Sequence, residues 1–166
     1  FKNTPLVYRQ YKFKHYNNTS NIKTFPLGYH CWDKNYIRDM SMIKKTYERE
    51  FIWCFIGSPK GERKIYIDYM KENLKPYFNE KTKAGQNTII YNNSIFTVCP
   101  RGNVNIECYR QYVASLNGSI PIIICPSQEY NFLYSSLPVK PPWINVSSIQ
   151  ECQTRMKYYL KHPTKL

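Results

Sequence analysis

The chain is poor in acid. Asp and Glu together number 11, against 24 Lys and Arg. Only three are aspartates, and no two of them stand as Asp-x-Asp, so the short acidic pair that holds a divalent cation is missing. No Cys or His falls at CxxC or other zinc spacing, which leaves a structural zinc site without ligands. No GxGxxG and no Walker loop occurs. No apolar run reaches the about 18 residues that a membrane-spanning helix needs. No repeat or low-complexity segment is visible, and no block of five like charges forms an acidic or basic tail.

What is present is a globular composition. Hydrophobic residues make up 42% of 166, enough for one domain with a core. The net charge of +13 admits phosphorylated ligands, nucleic acid or anionic membranes as partners. The lysines are scattered, however. Sixteen Tyr and 15 Asn beside many Lys and Ile point to an AT-rich coding sequence, so much of the charge is compositional.

The organising stretch is Ser94 to Cys125, which reads as strand, turn, helix, strand. Ile95–Cys99 is β-branched and aromatic. Pro100, Gly102, Asn103 and Asn105 break it. Glu107–Asn117 holds no Gly or Pro and places Tyr109, Tyr112, Val113 and Leu116 on one helical face. Asn117-Gly118 stops the helix, and Ile120–Cys125 reads as a strand buried on both faces. Upstream, Pro5–Tyr11 and Ile22–Pro26 read as strands, and 30–49 as an irregular segment anchored by Trp32. Phe51–Ile56 reads as a strand, and Lys60–Leu74 as a helix capped by Ser58. Thr88–Tyr91 reads as a strand and 126–142 as a proline-rich loop. Trp143–Val146 reads as a strand and Ser148–Lys161 as a last helix, capped by Ser147. The alternation predicts an α/β, Rossmann-like parallel sheet with helices on both faces.

In such a sheet ligands lie beyond the carboxyl ends of the strands. Arg101–Glu107 lies at such an end and leads into a helix N-terminus, where free N–H groups and the helix dipole suit an anion. Arg101 and Arg110 add charge with phosphate-matching forks, and Glu107 is an acceptor for ribose hydroxyls. Gly57 and Ser58 form a second turn of the same kind, with Arg63 one helical turn on. Lys60 and His30 are weaker candidates. Cys54, Cys99 and Cys125 fall in strand-like runs and read as buried thiols. Sequons at Asn17, Asn18, Asn92, Asn117 and Asn145 exceed the roughly two expected by chance, which leans toward a secretory route.

Several of these pieces resemble one family. Cys99-Pro100-Arg101-Gly102, with Phe96 before it and Arg110, Ala114, Gly118 and Ile120-Pro121 after, is similar to the signature of exostosin-type glycosyltransferases. Glu107-Cys108-Tyr109-Arg110 and Gly118–Pro121 resemble most the ribitol-5-phosphate xylosyltransferase branch. The segments Leu6–Tyr11 and Phe25–Tyr29 also resemble the start of that family's donor domain. The pattern departs at Val113, where the family usually carries a Glu that contacts the donor; Glu107 or Glu129 is the substitute on offer.

The resemblance implies the C-terminal, nucleotide-sugar-binding half of a two-lobed GT-B enzyme, as one domain over residues 1–166. It implies a UDP-sugar as donor substrate, no other cofactor, no bound metal and a glycan or glycoprotein acceptor. Arg63, Arg101, Gly102, Glu107, Cys108, Tyr109, Arg110, Gly57 and Ser58 become the donor-binding set. The catalytic base belongs to the other lobe, expected N-terminal to Phe1, so no residue of this chain is assigned that role. The family setting implies the Golgi or endoplasmic reticulum lumen, with a type II membrane anchor outside these residues. Two alternatives stand beside it: a non-catalytic sugar-nucleotide or glycan-binding descendant, and a basic nucleic-acid-binding α/β domain.

Overall fold

The computed structural model describes residues 4–12, 20–28, 40–79, 82, 85–135 and 137–165. His30, Cys31, Trp32 and the sequons at Asn17 and Asn18 lie outside the described residues. In chain order the elements are β1 (Val7–Arg9), β2 (Ile22–Thr24), β3 (Phe51–Cys54), α1 (Glu62–Asn73), β4 (Tyr77–Phe78) and α2 (Asn87–Asn92). There follow β5 (Ser94–Cys99), α3 (Tyr109–Leu116), β6 (Ile120–Ile124), α4 (Ser127–Tyr134), β7 (Ile144–Val146) and α5 (Ile149–Lys161). Two short 3-10 turns cover 40–42 and 46–48, within the segment expected to be irregular.

The main sheet is parallel, in the order β4-β3-β5-β6-β7. Each of its strands has a two-residue period, and the register lines up the odd and even positions into two distinct faces. Trp53, Phe55, Phe96, Val98, Ile122, Ile124 and Val146 form one face. It packs against Ile67, Met70 and Leu74 from α1 and its end, and Ile149, Cys152 and Met156 of α5. Cys54, Thr97, Cys99, Ile123 and Cys125 form the other face, under Tyr91 of α2, Val113 and Ala114 of α3, and Tyr130, Leu133 and Tyr134 of α4. The Thr97 and Ser119 hydroxyls bond each other at 2.7 Å, which satisfies two polar groups buried there. The Rossmann-like class expected from the alternation is the one observed.

Within the sheet, numbering its strands in chain order gives 2-1-3-4-5. The chain leaves β3 to one side, returns, and continues on the other side from β5. The carboxyl ends of β3 and β5 therefore flank the topological switch point, where doubly wound sheets open a crevice.

Several expectations are corrected. Residues 88–91 belong to helix α2: Thr88 and Tyr91 are buried three apart while Ile89 is 60% exposed, a helical and not an alternating pattern. The stretch after Cys125 carries α4, because Pro126 sits at its N-cap and the other prolines follow its end. Helix α1 starts at Glu62 behind Gly61, so Ser58 does not cap it. Helix α5 is capped by Ser148, whose Oγ accepts from the Glu151 N–H at 3.1 Å. Helix α3 is rotated from its expected face: Tyr109 and Leu116 are each 39% exposed, while Gln111, Val113 and Ala114 face inward.

At the opposite end of the sheet, Arg49 holds the strand starts together. Its Nη1 donates to Ser94 O (2.8 Å) and Gly118 O (2.6 Å), and its Nε and Nη2 donate to Lys44 O. Burial lowers its pKa, and among the described residues its partners are backbone carbonyls. Cys54, Cys99 and Cys125 are buried thiols as expected, and all five described cysteines are free. The three described sequons do not strengthen a secretory reading. The amide nitrogen that would carry a glycan donates to Met42 O in Asn92, to Val113 O in Asn117 and to Cys125 O in Asn145.

Candidate functional site

The turns after β3 and β5, and the start of α4 after β6, meet at the switch point. Arg110, from the first turn of α3, reaches across to the β3 turn. Its Nε donates to Ile56 O at 2.9 Å, and its guanidinium lies over the Phe55 ring, 4.3 Å from the centroid. Gly57 makes room for it: a Cβ there would stand 2.7 Å from Arg110 Nη2, and its φ of +148° disfavours any other residue. Nη1 donates to Cys108 Sγ at 3.3 Å.

No carboxylate faces Arg110. Among the described residues it makes no ion pair, and no acceptor is bonded to Nη2. Burial works against its charge, and the groups that lift its pKa above the ordinary value are Cys108, Cys99, Tyr91 and Cys54. Burial pushes the last three up in turn, so they stay neutral near pH 7. The result is a half-buried, permanent cation beside the switch point, with no carboxylate partner among the described residues.

Arg63 and Arg101 form the rim. Arg63 donates from Nε to Arg101 O (2.9 Å) and from Nη2 to Asn103 Oδ1 (2.6 Å), which clips α1 to the 101–107 turn. Arg101 pairs with Glu129 at 2.6 Å across the rim; both side chains are part-exposed, so the pair is worth little to stability. Glu129, expected in a loop, lies in the first turn of α4. Gly102 is packed against backbone: a Cβ would meet Glu107 O at 2.6 Å and Asn105 O at 2.8 Å. Cys108 is the N-cap of α3, closed by Gln111, whose Oε1 accepts from the Cys108 N–H at 3.2 Å. Tyr109 and Ser58 are exposed nearby, and Lys60 N–H donates to Ser58 O at 3.0 Å.

Glu107 faces a different way. It is 4% exposed, and its Oε1 accepts from Leu27 N–H at 2.9 Å and from the Tyr112 hydroxyl. This ties the segment after β2 to the start of α3 and floors a shallow cleft between Thr24–Pro26 and Leu133, Tyr134 and Leu137. Tyr112 is braced edge-on by Trp143, with ring centroids 5.0 Å apart.

Burial raises the Glu107 pKa above 4.5, partly offset by the bonds from Tyr112 and Leu27. A raised pKa means that the native state binds the proton more tightly than the unfolded chain. The contribution to stability is full below about 4.5 and is lost as pH rises through the native value. Glu107→Gln mimics the protonated form. The stability of the parent relative to this variant, measured by urea melts, is expected to be highest near pH 4 and to fall as pH rises; a flat difference would show that burial does not govern this carboxyl.

Val113, where the resemblance expects a Glu, is 5% exposed and packs with Cys54, Tyr91 and Ala114 under α3. An apolar residue fits that setting. Sequence reasoning missed Asn103, Asn105 and the Leu27–Glu107 tie. The first two were visible only as turn formers, and the third spans 80 residues with no local signal. Among the described residues, no three His, Cys, Asp or Glu side chains gather as metal ligands.

Residues 8–131 match the family model described as the RXYLT1 C-terminal domain, a span that starts within β1 and includes both glycine turns and Arg63, Arg101 and Arg110. The chain is also 30% identical over 122 residues to ribitol-5-phosphate xylosyltransferase 1 of Mus musculus, which covers 64% of this chain and 27% of the mouse protein. The chain thus spans about a quarter of the length of that relative. With both the match and the sheet in hand, it belongs to the RXYLT1 C-terminal domain family, a branch of the exostosin-like glycosyltransferases.

Proposed function

We propose that this domain binds the nucleoside diphosphate part of a sugar donor, UDP-linked, for transfer of a pentosyl or hexosyl group to a glycan or glycoprotein acceptor. The observation that carries the reading is Arg110, a half-buried cation at the strand switch point with no carboxylate partner among the described residues. Burying a charge without an anion is costly, and a diphosphate supplies the missing one. In the transfer, negative charge develops on the leaving diphosphate as the glycosidic carbon departs. Fixed positive charge at that point stabilises the transition state more than the ground state. Arg110, Arg63, Arg101 and the N-terminal N–H groups of α3 would share that work, in the metal-independent GT-B manner. The cleft floored by Glu107 would receive the ribose or sugar. The base that activates the acceptor would come from another lobe. Kinship with a xylosyltransferase makes xylose the first sugar to test, and a lumenal setting accompanies the same reading.

Calorimetric titration with UDP tests this directly, with duplex DNA as a control. Saturable UDP binding, with at most weak and steeply salt-dependent DNA binding, is expected. The opposite pattern would move the domain to the nucleic-acid class. UDP binding without turnover of any UDP-sugar by the full-length protein would favour a non-catalytic descendant.

Arg101 gives a second check. Its ion pair with Glu129 must open for Arg101 to reach a phosphate. Glu129→Gln is therefore expected to tighten pyrophosphate binding a few-fold at low salt, and less at high salt. Weaker binding in this variant would mean that Glu129 positions Arg101 and does not compete for it.

A further inference from the structure

We infer that Asn105 is a ligand-positioning residue whose side-chain amide donates a hydrogen bond to an oxygen of the bound nucleoside diphosphate. This rests on the donor-site reading above. Asn105 lies in the turn that connects β5 to α3, between Arg101 and Arg110, and is 9% exposed. Its Oδ1 accepts from the Glu107 N–H at 2.8 Å, an Asx turn that shapes the approach to the helix. Its Nδ2, with two N–H donors, has no partner; among the described residues it is the one buried side-chain nitrogen or oxygen so left.

Leaving such a donor buried and unpaired is costly. The turn does not require it, because Asp or Ser offers the same acceptor to the Glu107 N–H. A donor nitrogen thus adds nothing to the turn and destabilises the free protein. It has a use once an acceptor arrives. The turn around it is curled tightly, with Gly102 pressed onto the carbonyls of Asn105 and Glu107, and 3.5 Å between a Gly102 Cβ and the Cβ of Cys108. Arg101, four residues before it, and Arg110, five after, lie at the same end of the sheet, so an oxygen carrying negative charge is the acceptor that best fits. A phosphate oxygen and a nucleoside oxygen share this chemistry, and the test separates them.

The test uses the chain and two variants, Asn105→Asp and Asn105→Ser. Both keep an acceptor for the Glu107 N–H, and the second adds no charge. Melting temperature is read without ligand, and affinity is read by calorimetry with UDP, pyrophosphate and uridine. Asn105→Ser should melt at or above the parent temperature and bind UDP about tenfold more weakly, one hydrogen bond's worth. Asp should weaken it further by repulsion. An equal loss with pyrophosphate places the contact on the phosphates; a loss with uridine places it on the nucleoside. Parent-like UDP affinity in Asn105→Ser overturns this inference and leaves the donor-site reading intact. No UDP binding by the folded parent overturns both. Loss of the fold in both variants assigns Asn105 to the turn alone and overturns the inference too.

Discussion

Arg110→Met is expected to weaken UDP binding by about a hundredfold, with a melting temperature within a few degrees of the parent. Methionine keeps an apolar stem against Phe55 and gives up the fork. A charge-assisted hydrogen bond contributes about 1.5–3 kcal/mol, and the loss of the Arg110 fork removes one or two such bonds, which corresponds to about a hundredfold in affinity. The small effect on stability is the more discriminating half. Arg110 is half-buried beside the neutral Cys54, Cys99 and Tyr91, with carbonyl, sulfur and ring contacts but no carboxylate among the described residues. Removing such a charge relieves desolvation and forfeits one bond to Ile56 O, two effects that oppose each other. Arg110→Lys separates charge from shape: it should recover only part of the affinity, because a point charge cannot bridge Ile56 O and a phosphate as a planar fork does. If Arg110→Met instead unfolds the chain and leaves UDP affinity intact in the folded remainder, Arg110 is a structural clamp like Arg49.

Trp53→Ala is expected to cost about 3–5 kcal/mol, the upper range for truncating a single core side chain. Trp53 is fully buried in β3, stacked on Tyr77 of the edge strand at 5.1 Å, with Nε1 donating to Leu74 O at 2.8 Å. It therefore ties a central strand, the end of α1 and β4 together. Truncation leaves a cavity and an unpaired carbonyl at once. For a chain of this size the midpoint of thermal unfolding should fall by about 10–15 °C. Ile65→Ala, on the exposed face of α1, is the control and should shift it by no more than about 2 °C. A small shift for Trp53→Ala would mean that the β4 edge contributes little to the folded state.

The elements with strong two-residue or unbroken apolar patterns were legible in the sequence. Ile95–Cys99, Ile120–Ile124 and Phe51–Cys54 are strands because β-branched and aromatic residues fill both faces of a covered parallel sheet. Short helices were not. In 88–91 the four residues suit a strand by composition, and only the three-residue spacing of Thr88 and Tyr91 reveals α2. In 127–134, Tyr130, Leu133 and Tyr134 carry a helical spacing that the surrounding prolines obscured. The β4 strand is two residues long, too short for any pattern.

The site divides in the same way. Arg101, Arg110, Arg63 and the two glycine turns were readable, because strand ends, helix starts and cations announce themselves locally, and the structure gathers them at one end of the sheet. Glu107 was read as a free acceptor, yet the structure gives its Oε1 to Leu27 and Tyr112, since burial and distant partners leave no trace in local composition. The Asn105 amide was invisible for the same reason, as only the packed turn leaves its Nδ2 unpaired.

The most direct measurement is a crystal structure of this chain with UDP. The diphosphate is expected at the carboxyl ends of β3 and β5, with a phosphate oxygen within hydrogen-bond distance of Arg110 Nη2 and the nucleoside or sugar side toward the Glu107 cleft. UDP bound at any other end or face of the sheet, with Arg110 still on Ile56 and Cys108 alone, would contradict the donor-site assignment.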